Sequence, residues 1–144
     1  MISYKIIERN SPEYAQEISL RDAVLRKPLG LTFSEEFLAA EVEQLHLGMF
    51  EDEKLIACIL AKNLGEGVFQ LRQAAVSPKR QGKGYGKLLM SEIENRLSEL
   101  GCKKITMHAR DSALEFYLKL GYKVIGDQYL EVGIPHHTME KELE

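Results

Sequence analysis

The sequence has no tryptophan, only two cysteines and only four prolines in 144 residues, and it has no long apolar run. Cys58 and Cys102 cannot build a disulfide-rich scaffold, and neither has the spacing of a zinc site. The apolar runs are too short for a membrane span or a secretory signal. We therefore expect reduced thiols and a cytoplasmic protein without a membrane partner.

Charge of one sign is not in excess either. The 19 Lys and Arg residues against 22 Asp and Glu residues give a net charge of -3. A dedicated nucleic-acid binder would carry enough positive charge to displace counterions from phosphates. The segment from Lys79 to Lys87 is basic, but it is short and local. We therefore expect no nucleic-acid partner.

What the sequence does contain is typical of one globular domain. Hydrophobic residues make up 44% and charged residues 28%, and this apolar share is well above that of disordered chains. The length suits a single domain, and no repeat, low-complexity segment or linker marks a boundary. We therefore place residues 1–144 in one domain.

Local signals predict strands and helices that alternate along the chain. Ser11 followed by Pro12 is typical of a helix start, and we expect this helix to end near Arg26. Apolar residues at steps of three and four from Tyr85 to Leu100, with Leu88 among them, predict a second amphipathic helix. Three strands joined by short turns are expected between the two helices. This order predicts an α/β fold with a mixed sheet and helices on both faces.

A glycine-rich loop, Gln81-Gly82-Lys83-Gly84-Tyr85-Gly86, joins one predicted strand to the second helix. At such a junction, backbone N–H groups and the positive end of the helix dipole converge on one point. Glycines let the backbone approach an anion closely. The loop is therefore a candidate site for a phosphate or pyrophosphate, and the structural alternative is a plain strand-to-helix turn.

Two familiar nucleotide motifs do not fit this loop. A Walker P-loop would need a glycine at Gln81 and a hydroxyl-bearing residue at Leu88. A dinucleotide fingerprint would need a glycine at Lys87 and an acidic residue after the next strand, which ends in His108.

The loop instead resembles the Q/R-x-x-G-x-G/A signature of the GNAT acyltransferase superfamily, and Val76-Ser77-Pro78 before it resembles that family's V-x-P strand end. Ala113 to Tyr122 is similar to the family's A-x-x-x-Y-x-x-x-G-F/Y segment. Together the two matches cover about residues 70–124. The resemblance implies the GNAT fold, with a mixed central β-sheet of about seven strands and helices on both faces. It also implies transfer of an acetyl group from acetyl-CoA to an amine by direct attack in a ternary complex.

The resemblance implies residue roles as well, and no metal. In the family the strand end and the loop hold the cofactor, which here implies Ala74, Ala75, Val76, Gln81, Gly82, Lys83, Gly84, Tyr85, Gly86 and Lys87. Tyr117 matches the tyrosine that lies near the CoA sulfur, where a proton donor helps the thiolate to leave. The alternative for Tyr117 is a core position on the apolar face of its helix.

The general base is less evident, because residues 69–76 contain no acid where many family members have a glutamate. The segment from Tyr129 to Met139 is similar to the E-x-G-I-P-H-x-x-M tail of ElaA-type acyltransferases. Glu131 and His136 lie in this tail and are the candidates for substrate contact or proton relay. The alternative is that they are surface or strand-pairing residues.

The sequence thus predicts an N-acetyltransferase, and the alternative is a catalytically degenerate module that senses acyl-CoA. The acceptor would be a small-molecule or protein amine. An arginine in the pocket, such as Arg72, would favour an acidic acceptor, while a solvated charge on the sheet is an equal alternative for it. A homodimer is compatible with the resemblance, because GNAT proteins often dimerise.

Overall fold

The computed structural model describes residues 1–143, which form one seven-stranded sheet with helices on both faces. The strands are β1 (Ile2–Ile6), β2 (Leu45–Glu51), β3 (Lys54–Gly65), β4 (Val68–Val76), β5 (Lys104–Arg110), β6 (Lys123–Glu131) and β7 (Ile134–Glu142). The helices are α1 (Pro12–Arg21), α2 (Glu35–Ala39), α3 (Tyr85–Glu99) and α4 (Leu114–Lys119). A π-helical turn (Asp22–Arg26) and a 3₁₀ turn (Lys27–Leu29) extend α1.

The sheet has the strand order β1-β2-β3-β4-β5-β7-β6, in which only β4 and β5 are parallel. These two strands pair from Val68 with Lys104 to Leu71 with Met107. Within residues 1–143 no β4–β5 pair follows Leu71, although both strands continue. The centre of the sheet therefore opens between the second half of β4 and the end of β5.

Apolar side chains cover both faces of the sheet. On one face Leu89, Ile93 and Leu97 of α3 pack into the main core, and Met90 joins them. Leu88 and Leu100 were predicted to share this buried face, but they are exposed, because the α3 face that contacts the sheet is narrower than the apolar pattern. On the other face the end of α1 and the turn after it pack over a smaller cluster, which includes Phe50, Cys58 and Ala75.

The helix starts follow the capping signals in the sequence. The Ser11 hydroxyl accepts a hydrogen bond from the Tyr14 amide at 3.3 Å. The Ser34 hydroxyl likewise accepts one from the Phe37 amide at 3.1 Å and begins α2. Each cap satisfies an N–H group that has no partner within its helix.

The C-terminal segment forms a long hairpin. Strands β6 and β7 are nine residues each, and Glu131 pairs with Ile134 across the turn. Val132 and Gly133 in the turn both have positive φ angles, of 46° and 74°. Such two-residue turns match the twist of antiparallel strands. The hairpin brings Glu131 and His136 to the end of β5.

Candidate active site

The opening between β4 and β5 leads into a cleft of about 690 Å³, the loop cleft, formed by the end of β4, the glycine loop, the start of α3 and α4. Eight of the ten residues predicted to hold a cofactor line it: Ala74, Ala75, Val76, Gln81, Gly82, Gly84, Gly86 and Lys87. Lys83 is exposed and Tyr85 packs against the main core, and neither lines the loop cleft.

At two positions of the loop the structure explains why the residue is glycine. Gly84 caps α3 in the left-handed conformation, with φ of 86°, which a side chain rarely adopts. A Cβ at Gly86 would lie 3.3 Å from Cζ of Phe116 on α4, closer than ordinary van der Waals contact. Both glycines line the loop cleft at the start of α3, where backbone N–H groups without an intrahelical partner and the positive end of the helix dipole suit an anion.

Two side chains tie the glycine loop to the sheet. The Gln81 amide donates a hydrogen bond to the Val76 carbonyl at 2.9 Å, across the turn after β4. Arg80 forms an ion pair with Glu51 of β2, and its Nε donates at 3.0 Å. Part of the positive charge of the segment from Lys79 to Lys87 is therefore already neutralised. Arg80 and Lys87 both line the cleft, and among residues 1–143 Lys87 forms no ion pair.

An irregularity in β4 shapes the other side of the opening. Cys58 pairs with Ala75, and Leu60 pairs with Arg72. The step between these two pairs is two residues in β3 and three residues in β4, so β4 contains one extra residue. Gln73 takes up the extra residue with φ of 54°. This is a β-bulge, which breaks the expected alternation of side chains. As a result both Arg72 and Gln73 line the cavity beyond the loop cleft.

This second cavity has two adjoining compartments. One, the Tyr117 compartment, has a volume of about 320 Å³ and is lined by Tyr117, Arg110 and His136 among others. The other, the Phe37 compartment, has a volume of about 460 Å³ and is lined by Phe37 and Arg72 among others. Five residues line both compartments: Arg26, Gln73, His108, Glu131 and Val132.

Tyr117 lies where the loop cleft meets the Tyr117 compartment, because it lines both. Its ring packs edge-to-face against Phe116 and Tyr122, at centroid distances of 5.0 and 5.8 Å. Burial raises the pKa of its hydroxyl, which keeps the group protonated at neutral pH. The hydroxyl makes no hydrogen bond within residues 1–143, so its proton is not committed to another side chain.

Glu131 and His136 also line the Tyr117 compartment, together with a third residue that the sequence analysis did not single out. His108 at the end of β5 donates a hydrogen bond from Nδ1 to Oε1 of Glu131 at 2.9 Å. His136 is buried, and its Nδ1 donates to the Ile134 carbonyl at 2.7 Å. Its Nε2 lies 3.6 Å from Oε2 of Glu131. Glu131 therefore lies between two histidines, and only His108 is hydrogen-bonded to it.

The role of His108 had one signal in the sequence, its place at the end of a predicted strand. That signal does not reveal its partner, which lies 23 residues away on the hairpin.

Within residues 1–143 no group of three or more His, Cys, Asp or Glu side chains is arranged to hold a metal ion. Over the same residues no helix is long and apolar enough to span a membrane.

Comparison with known proteins identifies the class. Residues 22–143 match the family described as "Acetyltransferase (GNAT) domain". Because this match covers most of the chain, the protein belongs to the GNAT acetyltransferase family. It is an enzyme of the N-acetyltransferase type, and the general reaction of the class is acyl transfer from acyl-CoA to an amine.

Particular relatives agree with this assignment. The chain is 25% identical over 138 residues to the uncharacterized N-acetyltransferase YjcF of Bacillus subtilis (strain 168). The aligned region covers 95% of this chain and 98% of that protein. It shares its fold with an acyl-CoA N-acyltransferase from Pseudomonas aeruginosa (TM-score 0.84, 19% identity, 98% of this chain and 99% of the other). It also shares it with Escherichia coli ElaA (TM-score 0.83, 20% identity, 99% and 100%). Other crystal structures of this fold contain coenzyme A or acetyl-CoA. The predicted GNAT fold is thus confirmed.

Proposed function

We propose that the protein transfers an acetyl group from acetyl-CoA to an amine by direct attack in a ternary complex. The observation that carries this proposal is the position of Tyr117, which lines both the loop cleft and the adjoining Tyr117 compartment. A donor in the cleft and an acceptor in the compartment would meet beside its hydroxyl.

The loop cleft suits acetyl-CoA as the cosubstrate. The amides at the start of α3 and Lys87 would receive the pyrophosphate, as anions bind at helix N-termini. Among residues 1–143 the β4 residues after Leu71 have no β5 partner, so their backbone is available to the pantetheine arm. Ala74 and Ala75 have small side chains that let the arm approach. Relatives of the same fold that contain coenzyme A or acetyl-CoA support this use of the cleft.

The reaction needs a proton to leave the amine. A lysine-like amine with a pKa of about 10.4 must lose a proton, which costs about 4–5 kcal/mol at pH 7. With Nδ1 of His108 donating to Glu131, Nε2 is the acceptor of that ring. His108 would therefore take the proton, while the hydrogen bond to Glu131 holds the ring in the orientation that leaves Nε2 free.

The reaction also needs a proton for the leaving group. The neutral amine forms a bond to the thioester carbonyl carbon, the nitrogen of this adduct releases its second proton to solvent, and the C–S bond then breaks. The sulfur leaves as a thiolate that takes the proton of Tyr117, which gives free CoA and the N-acetylated amine. The tyrosinate is then reprotonated from solvent.

One observation favours a second candidate, an acyl-CoA sensor without turnover. Strand β4 carries no acid, so a glutamate base at that position is missing. The enzyme is favoured over the sensor because His108 and Glu131 offer a base on the opposite side of the opening.

The test combines acetyl-CoA titration with CoA release over a panel of amines. Gly84→Asp should abolish binding, because it adds a carboxylate at the anion site in open space. Gly101→Asp is the matched control, since Gly101 has φ of 87°, equally open space, and lies at the opposite end of α3. If both variants bind acetyl-CoA as the wild type does, the loop is only a turn.

Tyr117→Phe should bind acetyl-CoA normally and lower kcat about 100-fold, because it removes only an unbonded hydroxyl. Tyr122→Phe is the control. The Tyr122 hydroxyl donates to Glu94 at 2.8 Å, so its removal should lower the stability of the protein and leave kcat unchanged. His108→Gln should lower kcat and leave acetyl-CoA binding unchanged, because it removes the proposed base. Binding without CoA release for any amine would favour the sensor.

A further inference from the structure

Three arginines from different elements line the cavity on the acceptor side of Tyr117. Arg26 ends the π-helical turn, Arg72 follows the last β4 residue paired with β5, and Arg110 ends β5. Arg26 lines both compartments, Arg72 lines the Phe37 compartment, and Arg110 lines the Tyr117 compartment. The opening of the sheet therefore gathers positive charge where the acceptor would bind.

Two of these arginines have no ion-pair partner among the residues that the structure describes. Within residues 1–143 neither Arg26 nor Arg110 lies within ion-pair distance of a carboxylate. The Arg26 guanidinium stacks over Phe33 and Phe37, 4.7 and 4.9 Å from their ring centroids. A guanidinium stacked in this way keeps its N–H donors in the plane of the group, where they remain able to bind an oxyanion.

The buried carboxylates near these arginines already form ion pairs with another residue. Glu17 and Glu41 are buried and pair with Arg21 at 2.7 and 2.8 Å. Arg72 donates to Gln44 at 2.9 Å and lies 3.6 Å from Glu41.

The Arg26 environment reflects this surplus of positive charge. Burial lowers the pKa of Arg26, and the charges of Arg21, Arg72 and Arg110 lower it further, against the opposing effect of Glu41. An anion beside Arg26 would relieve that repulsion.

We propose that the amine acceptor carries an anionic group, a carboxylate or a phosphate, which Arg26 binds together with Arg72 or Arg110. Arginine binds both oxyanions through paired N–H donors. Glu131 lines the same two compartments and would attract the ammonium end of such an acceptor. The same charges disfavour polyamines. This inference rests on the proposed function and names its substrate class.

The test compares amines that differ only in the anionic group: tyramine with tyrosine, putrescine with ornithine, and glucosamine with glucosamine 6-phosphate. Rates of CoA release are expressed per concentration of unprotonated amine. We expect kcat/KM to be about 10-fold to 100-fold higher for the anionic member of at least one pair. The first two pairs report on a carboxylate and the third on a phosphate.

Variants assign the preference to the arginines. Arg26→Gln should remove it, and Lys27→Gln should keep it, because Lys27 is an exposed neighbour with the same charge and lines neither compartment. Equal kcat/KM within every pair, or a preference that survives Arg26→Gln, overturns the proposal.

A calorimetric arm separates this proposal from the proposed function. If no amine is acetylated, the same pairs are titrated into the CoA-loaded protein. Tighter binding of the anionic member that Arg26→Gln abolishes supports anion recognition even without turnover. Absence of that difference overturns it.

Discussion

Replacing Arg21 tests how the elements beside the second cavity are held together. It is fully buried on α1, and its two terminal nitrogens donate to Glu17 at 2.7 Å and to Glu41 at 2.8 Å. Arg21 therefore joins α1 to the loop after α2. Glu41 in turn lies 3.6 Å from Arg72, which lines the Phe37 compartment.

Replacing Arg21 with methionine keeps the apolar stem and removes the charge. Glu17 and Glu41, both almost completely buried, would lose their main partner. Breaking a buried ion pair by removing one partner costs about 3–5 kcal/mol. His46 still binds Glu17, so we expect the lower end, about 3 kcal/mol. That is a large share of a typical unfolding free energy of about 5–15 kcal/mol.

The assay is urea unfolding with linear extrapolation. Lys27→Met is the control, because Lys27 pairs with Asp22 at 3.6 Å while its side chain is 72% exposed. Such a surface pair should contribute at most about 0.5 kcal/mol. A loss below about 1 kcal/mol for Arg21→Met would refute the reasoning, since the buried carboxylates would then not depend on this cation.

Two further predictions concern stability. His46 donates from Nδ1 to Glu17 and from Nε2 to the Glu41 carbonyl, both near 2.9 Å. Burial opposes its charge, but Glu17 and Glu41 outweigh burial and raise its pKa above 6.5. Its contribution is thus complete below pH 6.5 and is lost as the pH rises through the raised pKa. His46→Gln should flatten the fall in unfolding free energy between mildly acidic and alkaline pH, and an unchanged slope would contradict this. Gly48→Ala should cost about 1–3 kcal/mol, because its Cβ would meet Ile7, Phe50 and Leu55 below 3.0 Å. An unchanged urea midpoint would show that these side chains can move aside.

Local signals accounted for the elements and for the family. The capping serine before α1 and the amphipathic pattern of the helix after the loop depend on residues within a few positions of one another. The loop from Gln81 to Gly86 is also contiguous, so its match could be recognised without a fold. The segment around Tyr117 gave the second match for the same reason.

Non-local pairing limited the prediction of the active site. His108 and Glu131 come together only because β7 lies between β5 and β6 in the sheet. The sequence pattern placed Glu131 in a tail, and the positive φ angles at Val132 and Gly133 that make the tail a hairpin have no strong local signature. The bulge at Gln73 likewise depends on how β4 pairs with β3.

The sequence alone therefore determined the order of the elements, the position of the glycine loop and the enzyme class, because each depends on short contiguous segments. Only the tertiary structure decided where the sheet opens, that His108 and Glu131 line the same compartment as Tyr117, and which arginines line the second cavity. Arg26, Arg72 and Arg110 are far apart in the chain, and they share a cavity because β4 and β5 separate after Leu71. The arginines come together because of how the strands pair, and local periodicity in the sequence does not encode strand pairing.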